Sequence, residues 1–95
     1  MSEPITDADQ TALTNAGWTL AENGTALDKT FVFANFVAAW GFMSQAAIWA
    51  EKLNHHPEWS NVFKTVKVRL TTHDTGGLSD LDAKLAGKMD EIADA

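Results

Sequence analysis

The sequence contains no cysteine, so it has neither a disulfide framework nor a thiolate site, and covalent chemistry is left to Ser, Thr, Lys and the carboxylates. That usage is compatible with the cytosol. Basic residues are scarce: seven Lys and Arg stand against thirteen Asp and Glu, for a formal net charge of -6. Such a balance opposes nonspecific attraction to nucleic acid or to an anionic membrane. Asn35, Ser44 and Gln45 interrupt the longest apolar stretch, leaving no run near the roughly 18 to 20 residues of a membrane-spanning helix. No basic segment precedes a long apolar one at the N-terminus, so Met1 to Asp7 do not read as a secretory signal. The expectation is a cytoplasmic protein with no membrane partner and no direct nucleic-acid partner.

What is present suits one domain over residues 1–95. A hydrophobic fraction of 45%, with five Phe and four Trp, can fill a modest core and also support a subunit interface. Thr6 can cap a helix over about 7–16, ended by Gly17. Trp18 and Leu20 begin a strand, Glu22-Asn23-Gly24 supplies a reversing turn, and Leu27, Phe31 and Phe33 recur with period two around Lys29. Asn35 can cap a second helix running to about Asn54. Its stripe is read as Phe36, Trp40, Met43, Ala47 and Ala50, widened by Val37, Phe42, Trp49 and Leu53. A helix this apolar meets more than one surface.

Pro57 disfavours helical geometry at His56, so this helix ends near Asn54 or His55. Val62, Lys64, Val66, Val68 and Leu70 then alternate with Phe63, Thr65, Lys67, Arg69 and Thr71 as one strand, in which Lys64 is the exception on an otherwise apolar face. After the Gly76-Gly77 loop, Ser79 caps a last helix with Asp82 at its third position. Leu81, Leu85, Met89 and Ile92 form its inward stripe. The order predicts an α+β fold, with helices covering one face of a small antiparallel sheet. The sheet edge or its uncovered face is available for a homodimer contact.

All three histidines, His55, His56 and His73, fall in or near this helix exit and the far end of the alternating strand. Glu51 and His55 are four apart, so the carboxylate can orient the imidazole or form an ordinary surface pair. His55 and His56 must diverge before Pro57, yet a turn can aim both into one hollow with His73. Three imidazoles in one cleft permit proton donation and removal on one substrate. The same residues with Glu51 could bind zinc, although helical His-Glu-x-x-His spacing is lacking, and three unrelated structural histidines also fit the pattern. Trp59 can stack on a planar ligand or fill a core; Trp18, Trp40 and Trp49 read as packing residues. Asp82 is a helix cap or a site carboxylate, while Glu58 and Asp74 read as solvated surface.

Glu51-x-x-x-His55-His56-Pro57-Glu58-Trp59, Asn61-Val62, Thr72-His73, Gly77-Leu78-Ser79 and Asp82, joined at these spacings, resemble the pterin-4-alpha-carbinolamine dehydratase family. Gly17-Trp18, Phe31-Val32-Phe33, Phe36, Gly41-Phe42-Met43 and Ala50-Glu51-Lys52-Leu53 extend the resemblance over nearly the whole chain. The resemblance implies a four-stranded antiparallel sheet with three helices packed on one face, in which a short stretch near His56 to Trp59 either completes the four strands or marks the binding turn. It also implies a hydro-lyase that converts 4a-hydroxy-tetrahydropterin to quinonoid dihydropterin and water, in recycling of the pterin used by aromatic amino-acid hydroxylases. Loss of the hydroxyl needs an acid, and removal of the adjacent nitrogen's proton completes the carbon-nitrogen double bond.

By the same resemblance His55, His56 and His73 are catalytic. Glu51 tunes His55, and Pro57, Trp59 and Asp82 bind substrate or support the site. No metal and no cofactor is expected, and the chain is expected to form a homodimer or homotetramer. A noncatalytic dimerisation or transcriptional-cofactor module is the alternative. Leu81 replaces a basic residue of the animal members, which removes any salt bridge made there. Phe63 replaces a tyrosine, which removes a hydroxyl while keeping the ring.

Overall fold

Each of the three helices starts on a side chain that accepts a backbone N–H, which relieves one of the unpaired donors of a first turn. The computed structural model describes residues 3–73 and 76–95, so the expectation for Asp74 lies outside the described residues. Thr6 caps α1 (Asp7–Asn15), Asn35 caps α2 (Phe36–Leu53), and Ser79 caps α3 (Asp80–Asp94) with Asp82 completing the capping box. Gly17, at φ +104°, allows the chain to leave α1 toward the sheet at an angle L side chains rarely adopt.

Four strands follow the capping signals: β1 (Thr19–Ala21), β2 (Ala26–Val32), β3 (Glu58–Val62) and β4 (Thr65–Thr71). They pair antiparallel in the order β1-β2-β4-β3. Period-two alternation turns Leu27, Phe31, Val66, Val68 and Leu70 to one face, where they are buried with Phe42, Leu85 and Met89 under the helices. The opposite face carries Asp28, Thr30, Lys67, Arg69, Glu58 and Ser60. Lys29 has the inward parity of β2 and its largely buried charge is paired: its Nζ donates to Ala16 O and to Asp90 Oδ1, both at 2.7 Å. Asp90 Oδ2 accepts from Trp18 Nε1 at 3.0 Å, tying α3 to the start of β1.

Two sequence expectations change. The single alternating strand from Val62 to Thr71 is two strands, broken at Phe63, whose φ is +52°, and Lys64. Asn61 Nδ2 holds this turn by donating to Phe63 O at 3.1 Å and Thr65 O at 2.9 Å. Lys64 is thus a turn residue, which removes the exception noted in the alternation. The fourth strand lies at Glu58–Val62, overlapping the region expected for it.

In α2 the core-facing stripe is Ala39, Phe42, Ala46 and Ala50, each at most 2% exposed, whereas Phe36 and Trp40 are 48% and 58% exposed. Ala50 belongs to both stripes, but Ala39, Phe42 and Ala46 each precede a residue of the expected one by a single position, so the buried stripe is turned around the helix by part of a residue step. Small side chains let the helix axis approach the sheet and α3 closely, and the periodicity of large residues does not record that choice. Trp40 is accordingly not a core packing residue, unlike Trp18, which is 2% exposed. Among the described residues, no helix is long and apolar enough to cross a membrane.

Antiparallel pairing places the start of β3 beside the end of β4, with Glu58 opposite Arg69. The C-terminal exit of α2 and the capped start of α3 meet at this same end of the sheet.

Candidate active site

Asn54, in the left-handed conformation at φ +50°, stops α2 and redirects the chain. The His55 N–H closes the helix end by donating to Ala50 O at 2.9 Å. His55 then turns inward and His56 outward, their side chains 10% and 60% exposed. Pro57, which has no N–H to satisfy, leads directly into β3. The two adjacent imidazoles therefore diverge, as the proline requires, but each finds a different carboxylate.

His55 Nε2 lies 2.5 Å from Asp82 Oδ1. Glu51 Oε1 lies 2.7 Å from His56 Nε2. The expectation that Glu51 orients His55 is thus corrected: the redirected chain at Asn54 takes His55 off the helical face that the i,i+4 spacing assumed, and brings His56 onto it. Glu51 is 80% exposed in its side chain, so its pair with His56 is largely screened.

Asp82 is fully buried, and it both caps α3 and contacts His55. Its Oδ2 accepts from Ser79 N at 2.9 Å, the capping-box bond, and from Thr72 Oγ1 at 2.6 Å. Thr72 Oγ1 also lies 2.8 Å from Ser79 Oγ. The cap at the start of α3 and the support of His55 are one hydrogen-bonded cluster. Among the described residues no buried side-chain nitrogen or oxygen lacks a partner.

His73 follows Thr72 directly and is open to solvent, 86% exposed, with Nε2 3.9 Å from Glu58 Oε2. It borders a depression of about 420 Å³ lined also by Glu22, Glu58, Arg69, Thr71 and Thr72. Arg69 grips Asp28 with two bonds, Nε to Oδ1 at 2.7 Å and Nη2 to Oδ2 at 2.8 Å, and reaches Glu22 at 3.1 Å. The Arg69 guanidinium holds the Asp28 carboxyl below the usual carboxylate range. Asp28 and Glu22 in turn push the Arg69 guanidinium further toward its charged form.

His55, His56 and His73 lie toward one end of the sheet but each has a different carboxylate, Asp82, Glu51 and Glu58 in turn, and the depression that His73 borders is lined by neither of the other two, so the expectation of three imidazoles aimed into one hollow is not met within this chain. Trp59 is placed differently from a residue of this cluster. It sits on the helix-facing side of β3 and lines a small apolar depression with Trp40, Met43 and Ala47. Among the described residues, no group of three His, Asp or Glu side chains converges as a set that could hold a metal ion.

Thr72 enters the sequence motif beside His73 without a role of its own. Its signal was present: Val66, Val68 and Leu70 set an inward parity that Thr72 continues, and a hydroxyl at an inward position needs a buried partner.

The pattern of the family described as Pterin 4 alpha carbinolamine dehydratase matches residues 3–92. A relative from Roseobacter denitrificans, which bears the provisional name pterin-4-alpha-carbinolamine dehydratase, is 67% identical over 78 residues, covering 82% of this chain and 80% of its own. One from Dinoroseobacter shibae, with the same provisional name, is 55% identical over 93 residues, covering 98% and 96%. The crystal structure of a transcriptional coactivator/pterin dehydratase from Brucella melitensis superposes with a TM-score of 0.85 at 42% identity, covering 96% of this chain and 99% of that one. The family pattern spans nearly the whole chain, the relatives match it over most of their own length, and the chain belongs to the pterin-4-alpha-carbinolamine dehydratase family.

Proposed function

We propose that this protein dehydrates 4a-hydroxy-tetrahydropterin to quinonoid dihydropterin and water, with His55, His56 and His73 as the proton-transferring groups. The observation that carries the reading is His55 held at 2.5 Å by the fully buried Asp82, at the end of the sheet that also presents His56 and His73. In the reaction the substrate hydroxyl leaves as water after receiving a proton. The adjacent ring nitrogen gives up its own proton, and the electron pair released there forms the carbon-nitrogen double bond. Imidazoles serve both transfers near neutral pH, and no oxidant or reductant is consumed. The reaction belongs to pterin recycling in the cytoplasm and needs no cofactor.

Stopped-flow absorbance of freshly generated 4a-hydroxypterin tests this, since spontaneous dehydration masks slow catalysis in a steady-state assay. The purified protein is expected to accelerate the decay over buffer in proportion to its concentration. Decay at the buffer rate overturns the reading.

The same reading includes a homodimer or homotetramer. Phe36, Val37, Trp40 and Ile48 leave an exposed apolar face on α2, each between 48% and 78% exposed. At the sheet edge, β3 pairs only with β4 among the named strands, and Val62 beside it is 77% exposed. Light scattering is expected to give a multiple of the 10.3 kDa chain mass. A monomer mass at the concentrations used for the assay removes the oligomer.

A further inference from the structure

We propose that Thr72 is a positioning residue for the reaction: its hydroxyl, backed by Ser79, holds Asp82 so that His55 keeps a proton on Nε2 and exchanges protons with substrate through Nδ1. This deepens the dehydratase reading and rests on it for the link to turnover.

The direction of every bond in the cluster follows from counting hydrogens. Ser79 Oγ accepts the Leu81 N–H at 3.3 Å. Each hydroxyl owns one hydrogen, and a carboxylate only accepts. Thr72 therefore spends its hydrogen on Asp82 Oδ2, and the Ser79 hydroxyl donates to Thr72 Oγ1. The Ser79 N–H donates to the same Oδ2. With two donors on Oδ2, the free oxygen is Oδ1, and it faces His55 Nε2. For an acceptor-only carboxylate that nitrogen must be the donor, which leaves Nδ1 as the ring atom able to give or take a proton.

Burial makes this arrangement selective. Ser79 and Asp82 are fully buried and Thr72 is 8% exposed, so water does not compete for these bonds. A carboxylate behind an imidazole fixes both tautomer and ring orientation, and Thr72 is what fixes the carboxylate. Thr72 touches no substrate in this scheme. It acts through Asp82, and its own neighbour His73 is placed by the same stretch of backbone.

The tautomer of His55 can be read directly in protein labelled with ¹⁵N-histidine, by two-bond ¹⁵N–¹H correlation. Wild type is expected to show His55 with the Nε2–H form alone. Thr72→Val should mix the tautomers and lower kcat by about 10- to 100-fold with KM changed less than about threefold. Thr72→Ser, which restores the hydroxyl, should recover the wild-type tautomer and most of kcat. A role limited to stability would instead lower melting temperature and leave the His55 tautomer unchanged.

The proposal is overturned if wild-type His55 carries its proton on Nδ1, or if folded Thr72→Val keeps both tautomer and kcat. The wild-type spectrum decides the first point even where Thr72→Val does not fold. Failure of wild type to accelerate dehydration would remove the dehydratase reading, whereas the tautomer measurements would still uphold or overturn the Thr72–Asp82–His55 chain.

Discussion

His55→Ala is expected to lower kcat for pterin dehydration by about 10² to 10⁴, the usual range for loss of one positioned proton-transfer group. The variant also leaves Asp82 Oδ1 buried without its partner, which costs about 1 to 3 kcal/mol of stability. A chain of this size has about 5 to 15 kcal/mol to lose, so the variant should remain folded at 25 °C and the kinetic loss can be measured on native protein. Circular dichroism at the assay temperature checks that condition. His56→Ala and His73→Ala provide the comparison, because their side chains are 60% and 86% exposed and their removal leaves the core untouched. A folded His55→Ala protein with wild-type kcat would end the role given to this residue. If His73→Ala alone abolished turnover while His55→Ala did not, the proton-transfer site would have to be rebuilt around the depression beside Arg69.

The other large effect belongs to Asp82. Asp82→Ala removes the capping partner of Ser79 N, the acceptor for Thr72 and the acceptor for His55 in one change. Its expected cost is about 3 kcal/mol, from a lost cap together with buried donors left unpaired. For a chain of 95 residues that corresponds to a fall in melting temperature of about 15 °C. Asp82→Asn separates the two functions of the residue. Its carbonyl oxygen can replace Oδ2 and keep the bonds to Ser79 and Thr72, while its amide then faces His55 Nε2 as a donor. That forces the imidazole proton onto Nδ1, the wrong tautomer for the proposed exchange. The outcome should be a nearly normal melting temperature with kcat lowered by about 10² or more. Equal stability losses in the two variants, with turnover retained in Asp82→Asn, would assign Asp82 to the helix cap alone.

Much of the fold was legible because its signals are local. Thr6, Asn35 and Ser79 each precede a helix and act within three residues, and the Ser79 to Asp82 capping box reads directly from spacing. Strand burial at Val66, Val68 and Leu70 follows period two in the same way. What escaped reading had competing local solutions. Val62-Phe63 continues an apolar alternation, and only the Asn61 side chain, bonding across the turn, reveals the reversal at Phe63 and Lys64. In α2 the expected stripe was right at Ala50 and in part at Met43, but the packing selected alanines for close approach and left Phe36 and Trp40 outside.

The histidine cluster divides along the same line. From the sequence alone came the three imidazoles, the stop at Pro57 that makes adjacent rings diverge, and the motif spacing that carries the family resemblance. Tertiary structure alone decided which carboxylate serves which ring: Asp82, 27 positions away, takes His55, and Glu51 takes His56. Helical spacing predicts neighbours only while the helix continues, and the left-handed Asn54 ends it one residue before His55. Beyond that point the contacts depend on how α3 docks against the end of β4, which burial of Thr72, Ser79 and Asp82 in a common core determines and no local pattern encodes.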